Sequence, residues 1–212
     1  MIIAIDGSAA SGKGTLGKAL AKYLGYDYLD TGALYRAVAL SLIKSGENTE
    51  KIDENQIVKI ASKIDLNLTE SPLIRSEKVA KLASKIATYD QLRKHLLKTQ
   101  RAFAANPKGG KGAILDGRDI GTVVLPDADL KFFIDAKVET RAKRRTKELL
   151  QSKQSAMFPD VLAELKERDD KDRFRTVAPL RAAEDAITID TSELDAEMVF
   201  EKALKFVDPE KA

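Results

Sequence analysis

Five short apolar runs punctuate the chain, and each of them ends in an aspartate. They read MIIAID (1–6), YDYLD (26–30), GAILD (112–116), LKFFID (130–135) and AITID (186–190). Their length suits strands, and the lack of strict alternation is typical of strands covered on both faces of a parallel sheet. Helical patterns separate most of the runs. The sequence therefore predicts an α/β domain with a five-stranded parallel sheet and helices on both faces.

The aspartates that end these runs predict where the chemistry takes place. In open α/β sheets, ligands bind beyond the carboxyl ends of the parallel strands. Five carboxylates are therefore expected near one edge of the sheet, which is the expected location of the site.

Two stretches between the runs look like additions to a single domain that spans residues 1–212. About 80 residues between the second and third runs read almost wholly as helix, which is too long for an ordinary crossover. We interpret residues 31–105 as an inserted helical subdomain, with a helix that carries Val79, Leu82, Ala83 and Ile86. The polar break QSKQSAMFPD predicts a mobile loop over residues 150–161, between two helices.

Composition excludes several classes of site. The chain has no cysteine, so disulfides, thiolate metal sites and cysteine nucleophiles are excluded. Its single histidine, His95, rules out a two-histidine metal motif, and its amphipathic surroundings favour a surface or packing role. A net charge of +3 does not require a nucleic-acid partner. No apolar run approaches the roughly 20 residues that span a bilayer, and MIIAID lacks the basic start of a signal peptide. A cytoplasmic location without membrane or nucleic-acid partners is expected.

The stretch GSAASGKGT follows the first strand and precedes a helix, which is the context of a phosphate-binding loop with the pattern G-x-x-x-x-G-K. Glycines let backbone N–H groups surround phosphate oxygens, and the helix N-terminus adds a positive potential. Lys13 is expected to contact the outer phosphates of a bound nucleotide. The predicted nucleotide-binding residues are Gly7, Ser8, Ala9, Ala10, Ser11, Gly12, Lys13, Gly14 and Thr15.

The residue after Lys13 departs from many phosphate loops. Gly14 stands where they have the Ser or Thr that binds Mg²⁺, and the hydroxyl follows one position later, at Thr15. GKGT loops of this kind are typical of nucleoside monophosphate kinases. That resemblance implies that Mg²⁺ is held largely by phosphates and water, so no metal ligand is assigned to a side chain.

Isolated cations in unfavourable places suggest an anionic ligand. Arg36 lies near the N-terminus of an otherwise apolar helix, where the helix dipole disfavours a cation. The alternative is that Arg36 pairs with a strand-end aspartate. In LDGRDIGTVV (115–124), Arg118 and Asp119 follow the third strand. They either bind a ligand at the edge of the sheet or have a purely structural role.

Two helices carry dense charge. In KVETRAKRRTK (137–147), Arg141, Arg144 and Arg145 share one face. This face either contacts phosphates, with the mobile loop that follows the helix as a lid, or is exposed to solvent.

In ERDDKDRFR (167–175), a helix would place Arg168, Asp172 and Arg175 on one stripe. Glu167, Asp170 and Lys171 would lie on other faces, in solvent. Arg168 precedes Asp172 by four residues, and an ion pair on a helix is weaker when the basic residue comes first.

Together, several segments resemble those of the bacterial cytidylate kinases, the CMP/dCMP kinases of the nucleoside monophosphate kinase family. They are GSAASGKGT, LDTGALYRA, IRSEKVAKLAS, QRAF, LDGRDIGTVV, PDA, RAKRR, LKERDDKDRFR and VAPL, and they follow the order of the family over nearly the whole chain. The phosphate loop is generic, but DGRD-x-G-T and K-E-R-D-D-x-D-R are far more specific.

This resemblance implies a fold, an activity and a set of contacts. It implies a P-loop NTPase fold, a monomer, a nucleoside-monophosphate-binding insert over residues 31–105 and a short lid over residues 150–161. It also implies transfer of the γ-phosphoryl group of ATP to CMP or dCMP, with Mg²⁺, in pyrimidine nucleotide metabolism. The implied contacts are Arg36 and Arg118 with the phosphate of CMP, Thr31, Arg93, Asp119 and Arg175 with cytosine, and Ser84, Arg168 and Asp172 with ribose.

The implied chemistry needs no strong general base, because the acceptor is already a phosphate oxyanion. Catalysis is expected to be positioning and charge neutralisation, and the residues assigned to it are Lys13, Arg118, Arg141 and Arg145. Asp119 would accept from the cytosine amine, where uracil presents a carbonyl that a carboxylate repels.

Two departures from the family and two alternative functions accompany this prediction. Thr31 replaces the usual Ser, and NLTESPLIRS is shorter than the strand-forming segment of many members, which shortens the small sheet of the insert. The first alternative is a kinase for another acceptor, such as UMP or AMP. The second is a P-loop protein that uses ATP as a switch.

Overall fold

The structure is a computed structural model, and it describes residues 1–46, 49, 52–152 and 154–208. The chain forms two compact units. Met1–Leu29 and Asn106–Ala212 make up the first, and Asp30–Ala105 makes up the second. Their ranges divide the chain nearly as the predicted insert of residues 31–105 does; the nucleotide-binding role of that insert stays a prediction.

A five-stranded sheet forms the centre of the first unit. Its strands are β1 (Ile2–Gly7), β2 (Asp27–Asp30), β3 (Ala113–Gly117), β4 (Leu130–Asp135) and β5 (Ile187–Asp190), in the order β2-β3-β1-β4-β5. β1 pairs in parallel with β3 and β4, and β4 pairs in parallel with β5. Every predicted run contains a strand, which confirms the predicted fold class.

The described α-helices follow four of the five strands: one follows β1, four follow β2, two follow β4 and one follows β5. They are α1 (Lys13–Leu24), α2 (Thr31–Lys44), α3 (Glu54–Ala61), α4 (Glu77–Ile86), α5 (Asp90–Ala105), α6 (Val138–Gln151), α7 (Phe158–Phe174) and α8 (Ala196–Val207). None of the helices in the described residues is both long and apolar enough to span a membrane.

The register of the sheet places carboxylates at one edge. Asp6 lies opposite Gly117, next to the Ile5–Asp116 pair, and Asp135 lies opposite Asp190. Four of the predicted strand-end carboxylates therefore share the edge where the strands end, here called the carboxyl edge. The covered faces of the strands explain why their runs are almost entirely apolar.

The core of this unit lies between the sheet and two helices. Aliphatic side chains of the central strands, including Ile3, Ile5 and Ile134, are fully buried against Leu16 and Leu20 of α1. Each such side chain contributes on the order of 2 kcal/mol when it is fully buried. This packing holds the end of β1 and the start of α1 at fixed positions, and the phosphate loop joins them.

The second unit is helical. The Asp30 side chain caps α2 by accepting from the Ala33 N–H at 3.0 Å, and α2 packs against α4. In α4 the four predicted core positions are buried. The segment that is shorter than in many family members forms 3₁₀ turns at Leu66–Glu70 and Pro72–Arg75. Between residues 31 and 105, the described residues contain no strand.

The predicted lid of residues 150–161 is shorter in the structure, because its first two and last four residues belong to helices. α6 ends at Gln151 and α7 begins at Phe158, with Pro159 in its first turn. Residue 153 of this segment lies outside the described residues. The role of the segment as a lid stays a prediction.

Candidate active site

The phosphate loop turns tightly between β1 and α1. A Cβ atom at Gly7 would lie 1.9 Å from the carbonyl oxygen of Ile134, so only glycine fits there. Ala10 and Gly12 have positive φ angles of 59° and 96°. A left-handed backbone conformation is strained for alanine, and such strain recurs at functional sites. Turns of this kind direct successive backbone N–H groups into one concavity.

Two buried hydroxyl groups of the loop have no hydrogen-bonding partner among the described residues. Ser8 and Ser11 are fully buried, and within the described residues neither Oγ atom has a hydrogen-bonding partner. Buried polar atoms are normally paired, so each of these hydroxyls requires an explanation. Lys13 opens α1, whose first turn carries no acidic residue. The geometry fits an anion with several oxygen acceptors.

Asp116, at the end of β3, occupies the space beside Gly14. The Tyr28 hydroxyl donates to Asp116 Oδ2 at 2.6 Å, and a Cβ atom at Gly14 would lie 3.1 Å from the same oxygen. A carboxylate therefore lies where many phosphate loops place a hydroxyl. The strand-end aspartates indicated Asp116, but it was not among the predicted site residues.

The first strand ends in a buried carboxylate. Asp6 accepts from the N–H groups of Ile120 and Gly121, both at 2.7 Å. Burial raises the pKa of Asp6 to about 6, against the lowering effect of these two hydrogen bonds. Asp6 thus fixes the π-helical turn Ile120–Val124 that follows the DGRD segment.

The DGRD segment meets the end of α7 through two ion pairs. Arg118 Nε donates to Asp172 Oδ2 at 2.7 Å, and Arg175 Nη2 lies 3.4 Å from Asp119 Oδ1. Burial alone would raise the pKa of Asp172, but the charges of Arg118, Arg168 and Arg175 and the hydrogen bond from Arg118 outweigh it and lower that pKa. Five predicted substrate-binding residues of the first unit therefore form one cluster.

The charge pattern of α7 divides as predicted, with one exception. Lys171 pairs with Glu167 on the exposed surface, and Asp170 is also exposed. The exception is Arg175, which follows the last helical residue in an extended conformation with φ −64° and ψ 143°. The helical stripe therefore ends at Asp172, and Arg175 enters the cluster from the segment after the helix.

The arginines of α6 occupy different environments. Arg141 is buried, and it donates to Asp169 and to the carbonyl oxygens of Ala136 and Ala9, the latter in the phosphate loop at 3.2 Å. Arg145 is half-buried and pairs with Glu148 at 2.9 Å. Whether either side chain contacts a phosphoryl group stays a prediction.

In the second unit, the alternative considered for Arg36 is observed. Its Nη2 atom lies 2.5 Å from Oδ2 of Asp30, the aspartate that ends β2. Its Nε atom is buried and has no hydrogen-bonding partner in the part of the chain that the structure describes. An ion pair therefore coexists with an unsatisfied donor, and a role in substrate binding stays a prediction.

The other predicted residues of this unit lie on three different helices. Thr31 is buried at the start of α2, and Ser84 is half-buried on α4. Arg93, on α5, donates to the Ala87 carbonyl at 3.2 Å. Their assignment to cytosine and ribose stays a prediction.

Sequence reasoning missed residues whose role depends on contacts far apart in the chain. Asp169 pairs with Arg141, and Tyr28 orients Asp116 across 88 positions of sequence. A mid-helix acid within a charge-rich segment gives no signal of burial. Only the strand-end rule could have found Asp116 and Asp6.

Comparison with known protein families and sequences gives a consistent result. The family model described as cytidylate kinase matches residues 3–209. The cytidylate kinase of Paramagnetospirillum magneticum is 49% identical over 207 residues, which are 97% of each chain. That of Rhodopseudomonas palustris (strain BisB5) is 48% identical over 212 residues, covering 100% of this chain and 98% of the relative.

Solved structures are similar in fold at low sequence identity. An uncharacterized protein from Eubacterium ventriosum has a TM-score of 0.58 at 15% identity and covers 98% of each chain. A sugar kinase from Janibacter sp. has a TM-score of 0.51 at 18% identity and covers 98% of this chain and 94% of its own. At these identities the likeness concerns the fold alone.

Proposed function

The chain belongs to the cytidylate kinase family, and from that premise we propose that it transfers the γ-phosphoryl group of ATP to CMP or dCMP, giving CDP or dCDP and ADP. It is an ATP-dependent nucleoside monophosphate kinase. The structural observation that carries the donor half is the phosphate loop, with its buried Ser8 and Ser11 hydroxyls that lack protein partners among the described residues. The acceptor half rests on the family.

ATP would be held by the loop from Gly7 to Thr15. The backbone N–H groups, the two serine hydroxyls and the N-terminus of α1 all favour phosphate oxygens. Lys13, the first residue of α1, adds a point charge for the outer phosphates. These contacts position the γ-phosphoryl group and offset charge that develops during transfer.

The proposed contacts to CMP or dCMP come from nine residues. They are Thr31, Arg36, Ser84, Arg93, Arg118, Asp119, Arg168, Asp172 and Arg175. The Nε atom of Arg36, which has no partner within the described part of the chain, supports an anionic ligand there. Arg118 donates to Asp172 through its Nε atom, and a guanidinium has donors for several oxygens at once.

Selectivity for cytosine is assigned to the pair of Asp119 and Arg175. A carboxylate accepts from the cytosine amine, and a guanidinium donates to the neighbouring acceptors of the ring. Asp119 is buried and is held by Arg175, so its orientation is fixed before the base arrives. Uracil would place a carbonyl against the carboxylate and be rejected.

Catalysis is assigned to Lys13, Arg118, Arg141 and Arg145. No general base is needed, since the acceptor oxygen is already anionic. Arg141 donates to the phosphate-loop carbonyl of Ala9, which supports a role close to the donor nucleotide. Arg145 carries its charge one turn further along α6, just before the segment proposed as a lid.

The side chains present fit Mg²⁺. Asp116 supplies a hard oxygen donor beside Gly14, and no group of three or more acidic or histidine side chains in the described residues forms a full metal cage. Asp116 would therefore hold the ion together with phosphates and water. When bound, Mg²⁺ neutralises charge on the phosphates. The expectations of a monomer and of a cytoplasmic location stay predictions.

The experiment that tests this proposal measures ADP release with separate acceptors. CMP and dCMP are expected to support ADP release at rates at least about tenfold above UMP and AMP, and Lys13→Ala is expected to abolish most of it. Equal rates with UMP or AMP would favour another acceptor. ADP release that no monophosphate stimulates would favour a P-loop switch.

A further inference from the structure

Arg144 of α6 makes a set of contacts that does not involve substrate-binding positions. Its Nη1 atom donates to Thr191 Oγ1 at 2.9 Å. Its Nη2 atom donates to the carbonyl oxygens of Thr191 at 2.5 Å and of Leu194 at 3.0 Å. One guanidinium thus fixes the turn that follows β5.

Thr191 connects this turn to the phosphate loop. Its hydroxyl donates to the carbonyl oxygen of Ser11 at 3.0 Å, and the residue is 1% exposed. Its own N–H group donates to the Asp135 carbonyl at 2.8 Å. The residue is therefore anchored to β4 through its backbone and to the loop through its side chain.

The two partners of the Thr191 hydroxyl leave it one orientation. A guanidinium has only donors and a carbonyl has only an acceptor. The hydroxyl oxygen must therefore accept from Arg144, and its hydrogen must point to Ser11. Arg144 in this way sets the direction of the hydrogen bond that reaches the loop.

This hydrogen bond controls one peptide plane of the loop. In a planar trans peptide the C=O and the following N–H point in opposite directions, and the described residues contain no cis bond. Holding the Ser11 carbonyl toward Thr191 therefore directs the Gly12 N–H away from it. Gly12 has a φ of 96°, and glycine rotates freely enough that the plane needs an external restraint.

We propose that Arg144 and Thr191 are positioning residues that hold the Ser11–Gly12 peptide so that the Gly12 N–H faces the phosphates of the donor nucleotide. The proposal rests on the assignment of the loop to ATP. The shared face of the α6 arginines suggested that Arg144 contacts the transferring phosphoryl group directly. The proposal gives Arg144 a different role. Neither residue needs to touch substrate.

The first test compares Thr191→Val with Thr191→Ser, using calorimetric titration of ADP. Valine keeps the shape but removes the hydroxyl, so ADP binding should weaken about fivefold, the effect of one hydrogen bond. Serine restores the hydroxyl and should bind ADP within about twofold of the parent chain. Equal affinity in both variants would overturn the proposal.

Steady-state kinetics separate positioning from a general loss of structure. In Thr191→Val the KM for ATP should rise about fivefold, while the KM for CMP stays within about twofold. A parallel rise of both constants would overturn the proposal, because a damaged fold affects both substrates.

A second pair of variants covers the case in which Thr191→Val does not fold. Arg144→Met should weaken ADP binding about fivefold or more, whereas Lys143→Met, which removes the same charge from the neighbouring exposed position, should change it less than about twofold. If both variants weakened ADP binding equally, the loss of positive charge alone would explain the result, and the proposal would be overturned. Since ADP binding needs no acceptor, the test is independent of whether CMP is the substrate.

Discussion

At the scale of single residues, three of the five arginines assigned to CMP pair with a carboxylate. Arg36 pairs with Asp30, Arg118 with Asp172 and Arg175 with Asp119, in each case within one unit of the chain. Such a pair contributes little net stability, since desolvation offsets the attraction between the charges. It does fix the direction of a long flexible side chain. The carboxylates therefore preorganise the guanidiniums, and substrate binding does not have to order them.

The first prediction concerns Arg118. Replacing Arg118 with Ala would remove the proposed phosphate contact and leave Asp172 without its main partner, so kcat/KM for CMP should fall by at least about tenfold, or roughly 1.4 kcal/mol. Arg181→Ala, which removes an exposed arginine of the same unit, is the matched control and should change it less than about twofold. A loss below tenfold in Arg118→Ala would remove Arg118 from the site.

The second prediction follows from the raised pKa of Asp6. Its pKa is about 6 in the folded chain, against an ordinary value of 3.8, so the folded state holds this proton more tightly than the unfolded state does. The contribution of Asp6 to the free energy of unfolding is therefore complete below pH 3.8 and is lost as the pH rises through 6. Relative to Asp6→Asn, the parent chain should lose about 3 kcal/mol between pH 3 and pH 7.

The control is an exposed aspartate at the end of β5. The hydrogen bonds from the Ser192 hydroxyl and N–H lower the pKa of Asp190, so its contribution is present above its ordinary pKa and is lost as the pH falls. The free energy of unfolding is measured with denaturant for the parent chain, Asp6→Asn and Asp190→Asn across this pH range. The stability of the parent chain relative to Asp6→Asn should fall as the pH rises, and its stability relative to Asp190→Asn should rise. A difference between the parent chain and Asp6→Asn that does not change with pH contradicts the account of Asp6.

At the scale of elements, α1 is shaped to receive the side chain of Tyr28. Gly14 and Gly17 lie one turn apart, and a Cβ atom at Gly17 would lie 2.7 Å from Tyr28 Cε2. The ring occupies this slot, and its hydroxyl reaches Asp116 beside the phosphate loop. The spacing GKGTLGK thus serves packing as well as the proposed binding of phosphates.

The third prediction tests this slot with a double-mutant cycle. Alanine in place of a helical glycine normally stabilises by up to about 1 kcal/mol. In Gly17→Ala the new methyl group must displace the Tyr28 ring, so the free energy of unfolding should fall by about 1–3 kcal/mol. In the Tyr28→Ala background the same change should be stabilising. Equal effects in both backgrounds, measured by denaturant unfolding, would show that the ring and the helix do not compete for this space.

The elements themselves could be predicted because each has a local pattern. The apolar runs contain the strands, and the spacing of Val79, Leu82, Ala83 and Ile86 gives the buried face of α4. The contacts between elements could not be predicted in this way. Arg175 leaves the helix one residue after Phe174, and Thr191 reaches Ser11 across 180 positions. Helix ends and long-range polar contacts depend on tertiary packing, which hydrophobic periodicity does not record.

At the scale of the whole molecule, the proposed activity joins two nucleotides in one reaction. The phosphate loop is proposed to hold ATP, and the acceptor is proposed to be CMP or dCMP. The activity requires that the phosphoryl group pass from one nucleotide to the other without hydrolysis.

The most direct test of the central claim follows the phosphoryl group itself. The chain is incubated with ATP labelled at the γ-phosphate and with CMP, and the products are separated. We predict that the label appears in the β-phosphate of CDP, in an amount equal to the ADP formed. Label recovered as inorganic phosphate, or no loss of label from ATP in the presence of CMP, would contradict the assignment of this chain as a kinase for cytidine monophosphates.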